Sequence, residues 1–451
     1  MATTSKSDKQ YRNDVRETAV TTLLRWESGE ASLDDLAEEA LLRLPEKNRP
    51  FYTEVVRGTV RRLLSLDYIV GKLTNRSPGK LDPSVRNILR LGGYQLDFMH
   101  VPKPVTVDLM VEVAKRHVHA GMVGFVNGVL RRWAGGPAVP LPTDPLERLA
   151  VEHSHPIWMI ERWLPRFGET ETEALCSWNN AVPPLDVRIN RQRIDAEEFL
   201  LICKERDIVA APSVFPDAFS LESAGAIEKL PGFKEGLFWV QSQAALLPVL
   251  LLDPKPGEKI LDLCAAPGGK SCQIADQMND QGEVIAVDID PERVKRIEEN
   301  RRRSGLRSIR ALNADGRKLA AHGLAYFDAV LVDAPCGATG VLRRNADARW
   351  NKRPDDFRQL SATELELLEA GANLVKPGGR LVYSTCSLEP EENREVIERF
   401  LASHQGFRIE EETERLPKSL QGLAVREKPF LQTYPQKDQL DGFFVTKLRH
   451  D

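Results

Sequence analysis

From about Gln241 to the C-terminus, short apolar runs alternate with charged stretches of helical period, and no other feature of the chain restricts its fold as strongly. The runs are KILDLC, VIAVDI, FDAVLVDAP and RLVYSTC. Between them stand SCQIADQM, PERVKRIEENRRRSG and a long helical stretch from about Ser361. Strand, helix and strand in this order predict βαβ units and a parallel sheet flanked by helices. Several of the runs are apolar throughout, as a sheet covered on both faces requires. Ligands of such sheets bind beyond the carboxyl ends of the strands, so the residues that end each run are the first place to look for chemistry.

The rest of the chain reads differently. From Asp14 to about Trp133 apolar residues recur at spacings of three and four, in Val15, Ala19, Leu23 and Leu24 and again in Ile88, Leu91 and Leu96, which predicts helices. Ser32 before LDDLAEEALLRL, and Asp82 followed by Pro83, read as helix starts: each offers a capping oxygen, and the proline stands where its missing N–H costs nothing. AGGPAVPLPTDP, residues 134–145, is a linker by composition. Residues 146–240 mix a tryptophan-bearing helical piece, IWMIERWLPRF, with a strand, PLDVRIN, and a helix, AEEFLLICKERDI. The expected organisation is multidomain: an all-α domain at 1–140, a small α+β module at 146–240 and an α/β Rossmann-like domain at 241–451. A chain of 451 residues is long enough for two or three cores.

Composition narrows the function classes. With 42% hydrophobic and 28% charged residues the chain has the make-up of an ordinary globular protein. The N-terminal MATTSKSDKQYRNDVRE lacks the apolar core of a signal peptide, and no apolar run is long enough to span a bilayer, so no membrane partner and a cytoplasmic location are expected. Six cysteines, at 176, 203, 264, 272, 336 and 386, make no disulfide framework and include no C-x-x-C pair. His117-Val-His119 has no second ligand pair, and no metal is expected. The absence of coiled-coil heptads favours a monomer. The net charge of −4 conceals a split: residues 1–140 hold 21 Lys/Arg against 16 Asp/Glu, the remainder 41 against 50. A mildly basic N-terminal domain suits a phosphate-bearing partner, although a difference of this size is also ordinary surface variation.

The first strand end is Leu263-Cys264-Ala265-Ala266-Pro267-Gly268-Gly269-Lys270. Two glycines before a helix start let a backbone approach a ligand closely, while the plainer reading is a tight strand-to-helix turn. It is not a P-loop, because no glycine stands five residues before Gly269. The second is Asp288, an acid placed to accept from ribose hydroxyls; helix capping falls to Asp290-Pro291 beside it. Asp315, in NADGR, is placed to accept from an adenine amino group, although Asp-Gly is also a common turn. The third run delivers Asp333 and Cys336, with Pro335 stiffening the turn, and the fourth delivers Cys386. A buried cysteine is usually a small inert hydrophobe. Two of them at the ends of strands in one sheet can instead face a common crevice. Cytosine C5 is too weak a nucleophile to attack a methyl sulfonium, and a thiolate adding at C6 makes it enamine-like. A carboxyl group at the N3 and N4 edge, such as that of Asp333, would stabilise the adduct, and a second thiol can assist removal of the C5 proton and release of the enzyme.

Read in order, DLCAAPGGK, DAPC and STCS make the C-terminal half resemble the RNA cytosine-C5 methyltransferases of the Nol1/Nop2/Sun (Fmu) family, from about Gln241 to DGFFV, Asp441–Val445, which is similar to the family's last antiparallel strand. The resemblance implies a class I methyltransferase domain with S-adenosyl-L-methionine held among Cys264, Ala265, Ala266, Pro267, Gly268, Gly269, Lys270, Asp288, Asp315 and Asp333. It implies Cys386 as nucleophile, Cys336 as helper thiol and Asp333 beside them. The family usually reads DAPC-S-G-T-G; here Gly337-Ala338-Thr339-Gly340 follows Cys336, so alanine stands where glycine is usual, which bears on positioning of the base rather than on the chemistry. VLRRNADARW also resembles the family, and its Arg343, Arg344 and Arg349 are either phosphate contacts or a solvated basic loop. RPFYTEVVRG, Arg49–Gly58, and FVNGVLR, Phe125–Arg131, resemble the NusB-like helical RNA-binding domain. Joined to this catalytic half, that domain resembles the ribosomal branch of the family, which implies a cytosine in 16S ribosomal RNA modified before the small subunit is fully assembled.

Other readings stay open at this point. The catalytic half alone does not separate a transfer RNA cytosine-C5 methyltransferase from a ribosomal one; the helical domain favours the latter. A non-catalytic RNA-binding or antitermination factor has no need of both cysteines and all three aspartates. A DNA cytosine methyltransferase would carry its nucleophile in a Pro-Cys pair, making Cys336 the attacker and Cys386 idle.

Overall fold

The computed structural model describes residues 15–222, 227–322, 326–411 and 416–451. Asp14, where the helical pattern begins, lies outside the described residues. The chain forms two compact units, Met1–Ala181 and Val182–Asp451.

The first unit is helical. Val15–Glu27, Leu33–Arg43, Arg49–Arg61, Leu63–Thr74, Pro83–Asp97, Lys103–His117 and Ala120–Gly135 are followed by Pro145–His153 and Ile157–Asn180. Both helix starts seen in the sequence form. Ser32 Oγ accepts from Asp35 N at 3.1 Å, and Asp82 caps Pro83–Asp97 through Ser84 N and Val85 N. Five other helices pack on Pro83–Asp97, whose Val85, Ile88, Leu89 and Leu91 are fully buried. The charges it carries inward are paired: Arg90 bridges Glu27 and Asp67, while Arg86 and Asn87 also donate to Glu27. The tryptophan-bearing helix kinks at Gly168, φ +77°, shortly after Pro165 has removed a backbone donor.

The second unit holds two sheets. β1 (Leu185–Ile189), β2 (Val209–Pro212), β3 (Ala218–Glu222) and β4 (Phe238–Val240) pair antiparallel in the order β2-β3-β1-β4. PLDVRIN supplies β1. The helix expected in AEEFLLICKERDI runs Ala196–Lys204, with Phe199 against the rings of Phe219 and Phe238.

The larger sheet contains β5 (Lys259–Leu263), β6 (Glu283–Asp288), β7 (Ile309–Asn313), β8 (Phe327–Asp333), β9 (Val375–Thr385), β10 (Phe407–Ile409), β11 (Leu431–Gln432) and β12 (Phe444–His450). Its order is β7-β6-β5-β8-β9-β12-β10, with β11 paired to β12. From β7 to β9 the strands are parallel, and β12 runs antiparallel between β9 and β10. β7 comes from IRALN, whose mixed polarity gives no strand signal; pairing with Val284–Asp288 makes it one. The helix expected from about Ser361 begins at Asp356.

Adjacent residues of the inner strands enter opposite cores. Ile260, Ala329 and Leu331 join Leu247, Leu252, Cys272 and Ile297 on one face. Leu261, Leu263, Val330 and Val332 join Leu367, Leu368, Ile397 and Phe400 on the other. Each such side chain contributes about 1.5–3 kcal/mol of burial, so the strands are fixed from both sides and their carboxyl ends form a rigid rim. The strand order reverses between β5 and β8, and it is beyond the carboxyl ends at such a switch point that open α/β sheets bind their ligands.

Candidate active site

The loop leaving β5 is held at both of its neighbours. Ala265 N donates to Val287 O at 2.9 Å and Ala266 N to Asp288 Oδ2 at 3.2 Å. From helix Pro291–Ser304, Asn300 Nδ2 donates to Pro267 O at 2.9 Å and Arg293 to Ala266 O. Gly268 has φ +98°, and a Cβ there would lie 3.2 Å from Ile297 Cα, so both its left-handed backbone and the packing behind it call for glycine. Helix Gly269–Gln277 opens directly after it. Asp288 is buried at the tip of β6, its Oδ1 accepting from Asp290 N, while Asp290 caps the next helix as expected. Asp315 follows β7 and is paired with Arg317, which holds its carboxyl below the ordinary range. Burial pushes the Cys264 thiol up to about 12, which makes it inert.

β8 and β9 lie in parallel register, with Asp333 opposite Ser384. Ser384 Oγ donates to Asp333 Oδ1 at 2.7 Å, and Lys270 Nζ sits 2.7 Å from Asp333 Oδ2. Burial pulls the Lys270 ammonium down, but Asp333 outweighs it and its pKa ends above the ordinary lysine value, so the cation is secure. One turn further, Cys336 Sγ and Cys386 Sγ are 3.4 Å apart, both partly buried. The two thiols expected at neighbouring strand ends thus lie next to each other, on the strand ends that also carry the Lys270–Asp333 pair. The hydrogen bond with Cys386, then burial, raise the Cys336 pKa well above that of a free thiol.

The two thiol-bearing loops are fastened to each other. Gly340 N donates to Cys386 O at 2.9 Å, Leu388 N to Thr339 Oγ1 at 2.8 Å and Gly337 N to Glu392 Oε1 at 2.6 Å. The final glycine of the turn is required by Gly442, whose carbonyl oxygen would stand 2.2 Å from a Cβ on Gly340. Ala338 has φ +58°, which explains why glycine is usual there: an alanine in this region is strained by about 1–2 kcal/mol.

Three buried acids escaped the sequence reading. Asp262, inside β5, accepts from Ser271 Oγ at 2.5 Å, and burial pushes its pKa up to about 7. Glu364 and Glu392 are fully buried behind the thiols; burial lifts them to about 10 and about 7. In the sequence Glu364 sits on a helix rich in acids and Glu392 in EPEEN, where nothing separates them from a solvated face. The arginines after the thiol turn fit neither of their alternatives, being neither solvated nor open to phosphate. Arg343 and Arg344 pair with the buried Asp441, Arg344 also with Asp186, and Arg349 is fully buried, so they brace the loop from inside and are not a surface for phosphate. Among the described residues no cluster of His, Cys, Asp or Glu is arranged to hold a metal ion, and no helix is long and apolar enough to cross a membrane.

A Rossmann-like sheet with an antiparallel strand near one edge, a glycine loop at its switch point and two thiols on the neighbouring strand ends defines a methyltransferase. Comparisons narrow the class. The family model described as 16S rRNA methyltransferase RsmB/F matches residues 249–449, that of the NusB family residues 13–134, and that of the Methyltr_RsmF/B-like ferredoxin-like domain residues 155–228. A Bacillus subtilis (strain 168) protein named "Probable ribosomal RNA small subunit methyltransferase B" is 36% identical over 446 residues, 97% of this chain and 99% of that one. The "Ribosomal RNA small subunit methyltransferase B" of Citrobacter koseri is 34% identical, covering 92% and 94%. The crystal structure of PH0851 superposes with a TM-score of 0.82 at 27% identity over 96% of this chain and 98% of its own. The chain belongs to the 16S rRNA methyltransferase RsmB/F family, with a NusB domain at its N-terminal end.

Proposed function

We propose that the chain transfers a methyl group from S-adenosyl-L-methionine to C5 of a cytosine in 16S ribosomal RNA through a covalent bond between Cys386 Sγ and C6 of the base. The observation that carries this reading is the pair of thiols 3.4 Å apart beside the Lys270–Asp333 ion pair. The residues present fit the cofactor. A carboxylate has about four acceptor sites, and the two protein donors to Asp288 leave room for ribose hydroxyls. Asp315 at the next strand end suits an adenine amino group, and Cys264–Lys270 with Asp333 would border the remainder. Bound there, S-adenosyl-L-methionine supplies an electrophilic methyl group.

The protein's own groups do the rest. Cys386 attacks as thiolate, its sulfur electron pair forming the bond to C6 while the C5–C6 pair becomes available at C5. Lys270 stands close enough to the attacking sulfur for a charge on Cys386 to raise the lysine's own pKa. Asp333 accepts from the N4 amino group and from N3 once it is protonated. After methylation the C5 proton passes to water; its bonding pair re-forms the C5–C6 double bond as the bond to Cys386 breaks and that sulfur leaves as a thiolate, which can take the proton of Cys336. Cys336, kept protonated by burial and by Cys386, is poorly suited to attack and well placed to assist that release, which counts against the reading with Cys336 as nucleophile. The NusB domain and the names of the relatives favour 16S over transfer RNA; we extend the reading to a monomer that acts before the small subunit is complete.

Methyl transfer from labelled S-adenosyl-L-methionine to unmodified 16S and transfer RNA, followed by bisulfite mapping, tests this. The expected product is one ribosomal 5-methylcytosine, with kcat falling by about 10⁴-fold or more in Cys386→Ala. Activity surviving in Cys386→Ala but lost in Cys336→Ala would reverse the assignment, and label confined to transfer RNA would move the substrate.

A further inference from the structure

We propose that Glu392 is a positioning residue for the reaction: its carboxyl group clamps the Cys336 turn onto the end of β9 and so sets the distance between the two thiols. The proposal rests on the two-thiol mechanism above for its catalytic meaning, though not for its geometry. Glu392 lies six residues past Cys386 and is fully buried. Its Oε1 accepts the Gly337 N–H at 2.6 Å, on the residue directly after Cys336. Its Oε2 accepts from Ser387 Oγ, on the residue directly after Cys386. One side chain therefore grips the neighbour of each thiol. The grip is reinforced by Thr339, whose hydroxyl is 3.2 Å from Ser387 Oγ and accepts from Leu388 N at 2.8 Å.

Glu392 is itself held from behind. Tyr383 OH donates to its backbone carbonyl at 2.5 Å, and the neighbouring Asn393 ties Thr385 Oγ1 at 2.5 Å and Ser387 O at 2.9 Å. Phe357 closes the other side of the turn, 2.4 Å from where a Cβ on Gly337 would stand, so the turn cannot slide away from the carboxyl without a clash. Burial raises both acids above the ordinary glutamate range, with Glu392 adding to the rise in Glu364 and Glu389 to the rise in Glu392. A buried carboxyl is costly, and a carboxyl retained here supplies two acceptor oxygens spaced to hold two loops at once.

The test compares Glu392→Ala, Glu392→Asp and Glu392→Gln in the full chain, with two readouts. The first is independent of RNA: diamide takes two electrons and two protons from Cys336 and Cys386, leaving a disulfide and the reduced hydrazine, and the rate reports how closely the thiols are held. The second is kcat against KM on 16S RNA. Loss of the clamp is expected to slow disulfide formation in Glu392→Ala and Glu392→Asp and to lower kcat by about 10²-fold with KM little changed, as a misplacement of about 1 Å does. Glu392→Gln keeps an acceptor for Gly337 N–H and is expected to restore most of both. Should Glu392→Ala fail to fold, Glu392→Asp, which keeps the acid but shortens its reach, carries the comparison. Disulfide rates within about twofold of wild type in Glu392→Asp overturn the clamp. Slowed disulfide formation in a protein that methylates no RNA leaves the clamp standing and removes the mechanism.

Discussion

Two groups of inward-facing acids, one in the helical unit and one behind the thiols, are neutralised in opposite ways. In the helical unit, burial would raise Glu27, but Arg86 and Arg90 outweigh it and its pKa falls below the ordinary value; Arg90 also binds Asp67 at 2.6 Å. Behind the thiols, Glu364 and Glu392 have no such cations, and burial lifts them to about 10 and about 7. The helical unit thus uses ion pairs to fix how its helices meet, whereas the pocket behind the thiols uses protonation and hydrogen bonds. The difference suits the proposed mechanism: a permanent cation behind Cys336 would favour a second thiolate where that mechanism calls for one thiol.

The comparison can be broken from either side. Arg90→Met leaves Glu27 and Asp67 short of their cation, and a loss of about 3–5 kcal/mol is expected in denaturant unfolding. The next effect concerns pH. Glu392 has a folded pKa of about 7 against 4.5 unfolded, so the stability it contributes is full below pH 4.5 and is lost as pH rises through 7. Glu27 has the opposite sign, since its folded pKa is lowered: its contribution is present above pH 4.5 and lost as pH falls through the folded value. Glu392→Gln should therefore make the decline in stability between pH 4.5 and 8 shallower by up to about 3 kcal/mol, while leaving the acid side untouched. A decline as steep as that of wild type would show that Glu392 ionises like a surface residue. The smallest effect belongs to Ala338→Gly, which removes left-handed strain and is expected to raise stability by about 1 kcal/mol; a lower melting temperature would mean the turn prefers its alanine.

The sequence showed the parallel sheet, the helical N-terminal half and both thiols, because each leaves a local mark: an apolar run, a three-and-four spacing, a cysteine after a strand. β7 left none, since IRALN becomes a strand only by pairing with β6. Arg343, Arg344 and Arg349 read as surface because their partners, Asp186 and Asp441, are distant in the chain and close only in the fold. Glu364 and Glu392 were invisible for the converse reason: an acid on a helix or in EPEEN announces solvent, and only the packing of helix Asp356–Ala372 against the thiol loops buries it. Lys270 was legible as part of the β5 loop, but not as the partner of Asp333. Long-range charge pairing is what the sequence conceals here.

The central claim is that Cys386 bonds to the base and Cys336 releases it. The most direct measurement is denaturing electrophoresis of Cys336→Ala after incubation with S-adenosyl-L-methionine and unmodified 16S RNA. A covalent protein–RNA band that accumulates, and disappears when Cys386→Ala is added, is the expected result; no band, or a band that persists without Cys386, would contradict the account.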